Sequence, residues 1–400
     1  MTEPWALPND WHWAEWKSVA RVASNLVSPA DHATLPHIAP NHIESGTGKL
    51  LQYTTVAEDQ VISAKHLFAP GHILYSKIRP YLAKAVIVDF AGLCSADMYP
   101  VATDLDPRYL KWWMLSPDFT RFAAGEQART VLPKINKNAL GRLPVPVAPP
   151  ADQRRIVALL EDHLSRLDAA DAGLVTSDLR LDALKRSVLA QLHDGDPVRL
   201  ADLAWDSGYG TSEKCVADGS GVPVVRIPNL VNGGVDLRDE KRVADGNADV
   251  SSSMLATGDL LIVRTNGSVD LIGRSAVVQD DIDAAFASYL IRYRVRGDLV
   301  RPAWVQAMLS TPQVRRSIEP LAASSAGQYN LSLAKLDPLE LPVPSLDQQD
   351  AGLARLREVE ESSAALRSGI SRARSHSAAL RRSLLAAAFS GQLTTELATA

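Results

Sequence analysis

The sequence predicts an α+β protein of two pseudo-repeated globular domains separated by two long helices that pair as an antiparallel coiled coil. Three observations carry this. The chain repeats itself at a spacing near 196 residues, each copy ends in a long heptad stretch, and each copy begins with short β-branched or apolar runs broken by Gly, Pro and Asn.

The repeat comes first. KRSVLAQLHDG at 185–195 is answered by RRSLLAAAFSG at 381–391, a spacing of 196, and LPVPVAPPADQ from Leu143 by LPVPSLDQQ from Leu341, a spacing of 198. Upstream, in the same order and with spacings near 190, MLSP at Met114 matches MLST at Met308 and GHILYSKIRP at Gly71 matches GDLLIVRTNG at Gly258. PNHIESGTGKL at Pro40 matches PNLVNGGVDL at Pro228.

Each copy therefore has a globular part, 1–148 and 197–345, and a helical part, 149–196 and 346–395. In the globular parts the runs at 73–75, 85–88, 260–263 and 275–278 read as short strands among many loops. In the first helical part no Pro occurs from Asp152 to Leu192, and Leu160, Leu167, Leu174, Leu181 and Val188 recur every seven residues. Their counterparts are Leu356, Ser363, Ile370, Ser377 and Leu384, and a companion seam of His163, Ala170, Ser177 and Leu184 answers Val359, Leu366, Ala373 and Leu380. The heptad phase is thus shared, and such a seam requires a partner helix. Parallel pairing of the copies would set Leu167 against Ser363 and Leu181 against Ser377, whereas antiparallel pairing sets the leucine series against Val359, Leu366, Ala373 and Leu380. About 40 residues at about 1.5 Å each make a rod of roughly 60 Å, which would hold two domains a fixed distance apart.

Composition sets limits on function. The 400 residues are 46% hydrophobic and 22% charged, ordinary for a soluble chain with more than one core. Two cysteines, Cys94 and Cys215, lie far apart without a CxxC spacing, so neither a disulfide framework nor a thiolate zinc site is expected, and a reducing cytoplasm fits. The start MTEPWALPNDWHWAEWK has no basic then apolar signal pattern, and no run has the length of a membrane span, so neither export nor insertion is expected. A formal charge of −4 means that any nucleic-acid surface must be local or shared with a partner.

The motif at the helix starts and ends resembles the conserved region of type I restriction-modification specificity subunits. In the first copy it comprises Leu143, Pro144, Pro146, Pro149, Gln153, Arg154, Arg155, Ile156, Val157, Leu160 and Leu167, then Lys185, Arg186, Ser187, Leu189 and Gly195. In the second it comprises Leu341, Pro342, Pro344, Gln348, Arg381, Arg382, Ser383, Leu384, Leu385 and Gly391, while DQQDAGLARL lacks the Arg-Arg-Ile-Val core. The strings at 73–85 and 260–278 are also similar to segments of these subunits, and the resemblance covers essentially the whole chain. It implies two target recognition domains, each reading half of a split double-stranded DNA site, and spacer helices that dock two methyltransferase (modification) subunits. It also implies that this chain is not an enzyme and carries no cofactor. S-adenosylmethionine and ATP then belong to the modification subunits and the restriction (motor-nuclease) subunits.

Base reading in the major groove needs Arg or Lys for guanine and Asn or Gln for adenine, and Lys, Arg and Ser hold phosphates. Loops rich in these residues supply Asn41, Ser45, Thr47, Lys49, Lys77, Arg79, Arg129 and Lys134 in the first domain. The second supplies Arg226, Asn229, Arg264, Asn266, Ser268, Arg274, Gln328 and Asn330. Gly46, Gly48, Gly233 and Gly267 read as turn residues with positive φ. A near-neutral chain should bind DNA weakly when alone, with a steep salt dependence.

Other motifs lead nowhere. SGTGKL at Ser45 is not a phosphate loop, because Ile43 and Leu50 stand where Gly and Ser or Thr are needed. Asp10, Glu15 and Lys17 read as surface charges rather than a nuclease cluster, and His32, His37 and His42, five apart, suit no compact zinc motif. No NPPY-like methyltransferase motif appears. Trp5, Trp11, Trp13, Trp16, Trp112 and Trp113 read as packing residues. The rival reading is a non-catalytic coiled-coil scaffold that binds protein or RNA.

Overall fold

The structure, a computed structural model, describes residues 3–125, 133–192, 195–325 and 327–395. It divides into two compact units, residues 1–175 with 371–400 and residues 176–370. Each unit therefore holds one globular domain and half of each long helix, Pro150–Gln191 and Leu346–Phe389. No helix among the described residues is long and apolar enough to cross a membrane.

In the first unit an antiparallel sheet runs Ala20–Val22, Met98–Thr103, Ile73–Ser76, Ala85–Ile87. A second sheet joins Pro36–Ile38 in parallel to Gly92–Cys94. The run at 73–76 is buried on both faces, which explains its unbroken apolar character. Helices Pro107–Leu115 and Pro117–Gly125 pack with the first sheet, and Tyr75, Tyr109, Trp113 and Phe119 form its core with Leu160 and Phe389 of the long helices. Trp16 and Trp113 are fully enclosed, Trp11 and Trp112 are buried, and Trp5 and Trp13 pack against the same core. Burial of each such side chain contributes on the order of 1.5–3 kcal/mol.

The second unit repeats this order. Its sheet runs Ala204–Tyr209, Leu290–Val295, Leu260–Val263, Ser275–Val277, and Pro223–Val225 joins Ala285–Phe286 in parallel. The equivalence of Ile38 with Val225 aligns Asn41 with Pro228 and His42 with Asn229. The sequence match of Pro40 to Pro228 is therefore one residue out of register.

The LPVP motif now has a physical reason. Strand Pro144–Val147 pairs with His12–Glu15, and Glu340–Val343 with Asp196–Arg199. Trp113 Nε1 donates to the Pro144 carbonyl at 3.1 Å and Trp304 Nε1 to that of Pro342 at 2.8 Å. One turn into each long helix a buried glutamine joins helix to domain. Gln153 donates to the Ala148 carbonyl (2.8 Å) and accepts from Asp106 N (2.9 Å). Gln349 donates to Pro344 O (2.8 Å) and Leu299 O (3.1 Å) and accepts from Arg301 N (2.8 Å). The counterpart of Gln153 is thus Gln349 and not Gln348, whose side chain instead accepts from Ser345 N–H at 3.1 Å.

Within each unit the helix halves run antiparallel. In the first, Leu160 and Leu164 share a core with Leu385, Ala388 and Phe389, Asp168 pairs with Arg381, and Ser377 donates to Asp171 at 3.0 Å. In the second, Asp178 and Asp182 pair with Arg367, Lys185 with Glu360 at 2.6 Å, and Val188 and Leu189 share a core with Leu353 and Leu356. Of the leucine series, Leu160, Val188 and Leu356 are buried, and Leu167, Leu174, Leu181, Val359, Ile370 and Leu384 are half-buried. The companion seam is corrected by one residue. Leu366 and Leu380 are 57% and 42% exposed, and Leu184, His163, Ala170, Ser177 and Ala373 are also exposed. The inward positions of the first long helix are Leu164, Asp171, Asp178 and Lys185, and the polar ones among them find partners of opposite charge, or a hydroxyl, on the facing helix, where Glu360 and Arg367 themselves stay exposed.

Candidate nucleic-acid interface

In both domains the chain leaving the central sheet strand meets a later loop in the same backbone bracket. In the first, Arg79 N–H donates to Pro133 O (2.8 Å), Ile135 N–H to Lys77 O (2.9 Å), and Ile78 bridges Lys134. In the second, Asn266 pairs with Tyr329, Leu331 N–H donates to Arg264 O (2.8 Å), and Thr265 pairs with Asn330. Lys77, Arg79 and Lys134 are therefore gathered at one place, and Arg264, Asn266 and Asn330 at its equivalent, although more than 50 residues separate the contributing segments. Backbone pairing does this, because the N–H and C=O groups of the segment leaving the buried strand need partners and the later loop supplies several of them.

The side chains differ in their freedom. Arg79 is exposed and holds φ 46°, a left-handed conformation that non-glycine residues rarely keep and that marks functional loops. Lys134 is exposed, and Lys77 lies with its ammonium 5.3 Å from the Tyr99 ring centroid. Arg264 is held more firmly. Its Nε donates to Leu331 O (3.2 Å), Nη1 to Ser288 O (3.3 Å) and Nη2 to Asn330 Oδ1 (3.2 Å), and its guanidinium lies 4.3 Å from the Tyr209 ring centroid. Asn266 Oδ1 accepts from Ser268 N–H at 2.8 Å, which closes the turn. Gly267 has no positive φ, unlike Gly46, Gly48 and Gly233, because this side-chain turn replaces it. Ser268, Gln328, Asn330 and Arg274 are exposed, and Arg274 faces a cleft of about 1170 Å³ along the second long helix.

Several sequence candidates lie away from the brackets. Asn229 is buried, 1% exposed, with Nδ2 donating to Asp236 O and Asp239 O and Oδ1 accepting from Arg226 N–H, so it shapes a loop and cannot reach a base. Arg226 is mostly buried and pairs with Asp239. Thr47 donates to Glu44 at 2.7 Å as a turn residue, and Lys49 pairs with Asp168 of the first long helix at 2.9 Å. Asn41 and Ser45 are exposed on the same loop, and Arg129 lies outside the described residues. His37 is hydrogen-bonded to Asp59 (2.7 Å) and His42 Nδ1 to Ala39 N–H, and no group of three metal-ligating side chains occurs among the described residues. Sequence reasoning missed Tyr209, whose only signal was its place opposite Ile291 at the end of an edge strand, a position assigned by pairing.

No family model matches the chain. The fold matches a chain solved in work on complex assembly and conformational transition of the type I R-M system, with TM-score 0.77 at 19% identity, covering 97% of this chain and 100% of that one. It also matches the HsdS subunit from Thermoanaerobacter tengcongensis, with TM-score 0.55 at 20% identity over 97% and 98% of the two chains. Over 191 residues the sequence is 45% identical to the specificity subunit of type I restriction enzyme EcoDI from Escherichia coli, 48% of this chain and 43% of that one. Over that stretch the chain is similar in sequence to a type I specificity subunit, and its fold is similar to that of HsdS. The EcoKI specificity subunit from Escherichia coli strain K12 is 23% identical over 270 residues, 63% of this chain and 58% of its own length. The chain thus spans about half the length of the curated relatives it matches.

Proposed function

We propose that this chain is a type I specificity subunit that reads a bipartite double-stranded DNA target, one half-site per recognition domain (1–148 and 197–345), and that helices 149–196 and 346–395 recruit two modification subunits and, through them, restriction subunits. On this reading the chain performs no chemistry. The observation that supports it most is the bracket built twice, which sets two or three cationic or amide side chains at equivalent places in both domains. Arg, Lys and Asn are the residue types that match base edges and phosphates, and two equivalent readers match a site with two fixed halves. Of the sixteen candidates, Lys77, Arg79, Lys134, Arg264, Asn266, Ser268, Arg274, Gln328 and Asn330 are the proposed DNA-facing set.

The test is co-expression with a modification subunit of the same system, followed by sequencing of host DNA for methylated bases. A motif of two fixed half-sites around a degenerate gap is expected. Absence of both a stable complex and any such motif would overturn the proposal.

A further inference from the structure

Arg264 is held in a way that leaves a defined part of it free. Of the five N–H groups of a guanidinium, three are engaged within the second unit: Nε–H by Leu331 O, one on Nη1 by Ser288 O, and one on Nη2 by Asn330 Oδ1. Among the described residues, one N–H on each terminal nitrogen has no partner. These two donors belong to one planar group and cannot rotate independently of it, and the plane is covered on one side by the Tyr209 ring. Tyr209 is itself tied down, because its hydroxyl accepts from Leu333 N–H at 3.0 Å and its strand pairs with Leu290–Val295. Asn330 Oδ1 also accepts from Thr265 Oγ1 at 3.2 Å, so the acceptor that orients Arg264 is oriented in turn.

A guanidinium that satisfied its own loop fully would be structural. One that keeps a pair of donors, on a half-exposed residue at the bracket, suits a target with two adjacent acceptors. Guanine alone presents two acceptors, O6 and N7, side by side in the major groove, whereas adenine offers an acceptor beside a donor. We infer that Arg264 reads a guanine in the half-site of the second domain, and that Tyr209 is the positioning residue that sets the plane of its guanidinium. The inference rests on the DNA-recognition reading above and assigns it a base and a residue pair. In the first domain the equivalent residue is Lys77 over Tyr99, a point charge without a planar fork.

The experiment uses the full chain in complex with its modification subunit. The wild-type motif is first read by methylation sequencing; failure to find any bipartite motif defeats the recognition reading itself. If a motif is found, each guanine of both half-sites is replaced in turn by 7-deazaguanine, which lacks N7, and affinity is measured. One guanine of one half-site should show a loss on the order of tenfold. In Arg264→Gln the same replacement should cause no further loss, and methylation should become degenerate at that position alone. Tyr209→Phe should keep the fixed guanine. Tyr209→Leu, with the complex still assembled, should relax it partly while the other half-site stays unchanged. Retention of the full motif in Arg264→Gln, a 7-deazaguanine loss that persists in it, or relaxation at a base other than guanine would overturn the inference. So would uniform weakening across all positions, which is the signature of a phosphate contact.

Discussion

Asn229 and Arg264 carry similar polarity in the sequence and opposite roles in the fold. Asn229 sits at 1% exposure with both ends of its amide engaged by loop backbone, whereas Arg264 retains free donors at a surface bracket. What separates them is burial, because a buried amide must satisfy its own neighbours. Lys111 shows the same rule for a charge. It lies 3.5 Å from the Trp112 ring centroid, and burial pushes its amine down to about 8, opposed by the nearby Glu161. Between pH 8 and its ordinary value of 10.5 the unfolded chain holds a proton that the folded chain has released, so folding becomes more favourable as pH rises through this window. Below pH 8 the cost of burying the protonated amine is fully present. Relative to Lys111→Met, the wild-type urea midpoint should therefore rise from pH 8 to 10. Parallel midpoints would contradict the burial argument, since other titrating groups are common to both chains.

The two long helices show how a heptad can be read correctly in one seam and wrongly in the other. The series Leu160, Leu167, Leu174, Leu181 and Val188 turns inward to different degrees, and the adjacent seam is Leu164, Asp171, Asp178 and Lys185 rather than the residues before them. Spacings of three and four are equally available to a heptad, so periodicity alone does not choose between them. The choice is made by the facing helix, where Arg367 and Arg381 meet Asp178, Asp182 and Asp168. Two leucines ten residues apart on the second helix then differ in effect. Leu356→Ala should lower stability by about 2–4 kcal/mol, as for a buried leucine, and Leu366→Ala by about 0.5 kcal/mol or less, as for a surface one. Chemical denaturation of the two variants distinguishes this phase from the alternative, in which Leu366 would matter as much as Leu356.

At the level of the whole molecule, the first compact unit borrows a helix half from the other end of the chain, whereas the second is one continuous stretch. Leu160 and Leu164 of the first unit are covered by Leu385, Ala388 and Phe389. The repeat spacing of 196 places Val188 and Leu189 in the positions of Leu384 and Leu385. A chain ended after Gly195 should consequently lose its own cover for Leu160 and find it in a second copy, each molecule lending the later half of its helix to the other. Sedimentation should show a concentration-dependent dimer, and Leu160→Asp should abolish it. A monomer of native stability would refute the exchange.

The duplication, the heptad stretches and the resemblance they carry were legible in the sequence because repeats and periodicity survive in one dimension. The LPVP and glutamine signature was visible there too, although its meaning as a tryptophan and amide joint was not. Only the tertiary structure decided which polar residues face outward, since Lys77 and Lys134, or Arg264 and Asn330, become neighbours through strand pairing across more than 50 residues. It also decided that Lys49 and Asn229 belong to internal contacts. The reason is physical. Side-chain type states what a residue can bind, while burial and backbone pairing determine which of those bonds are already made inside the protein.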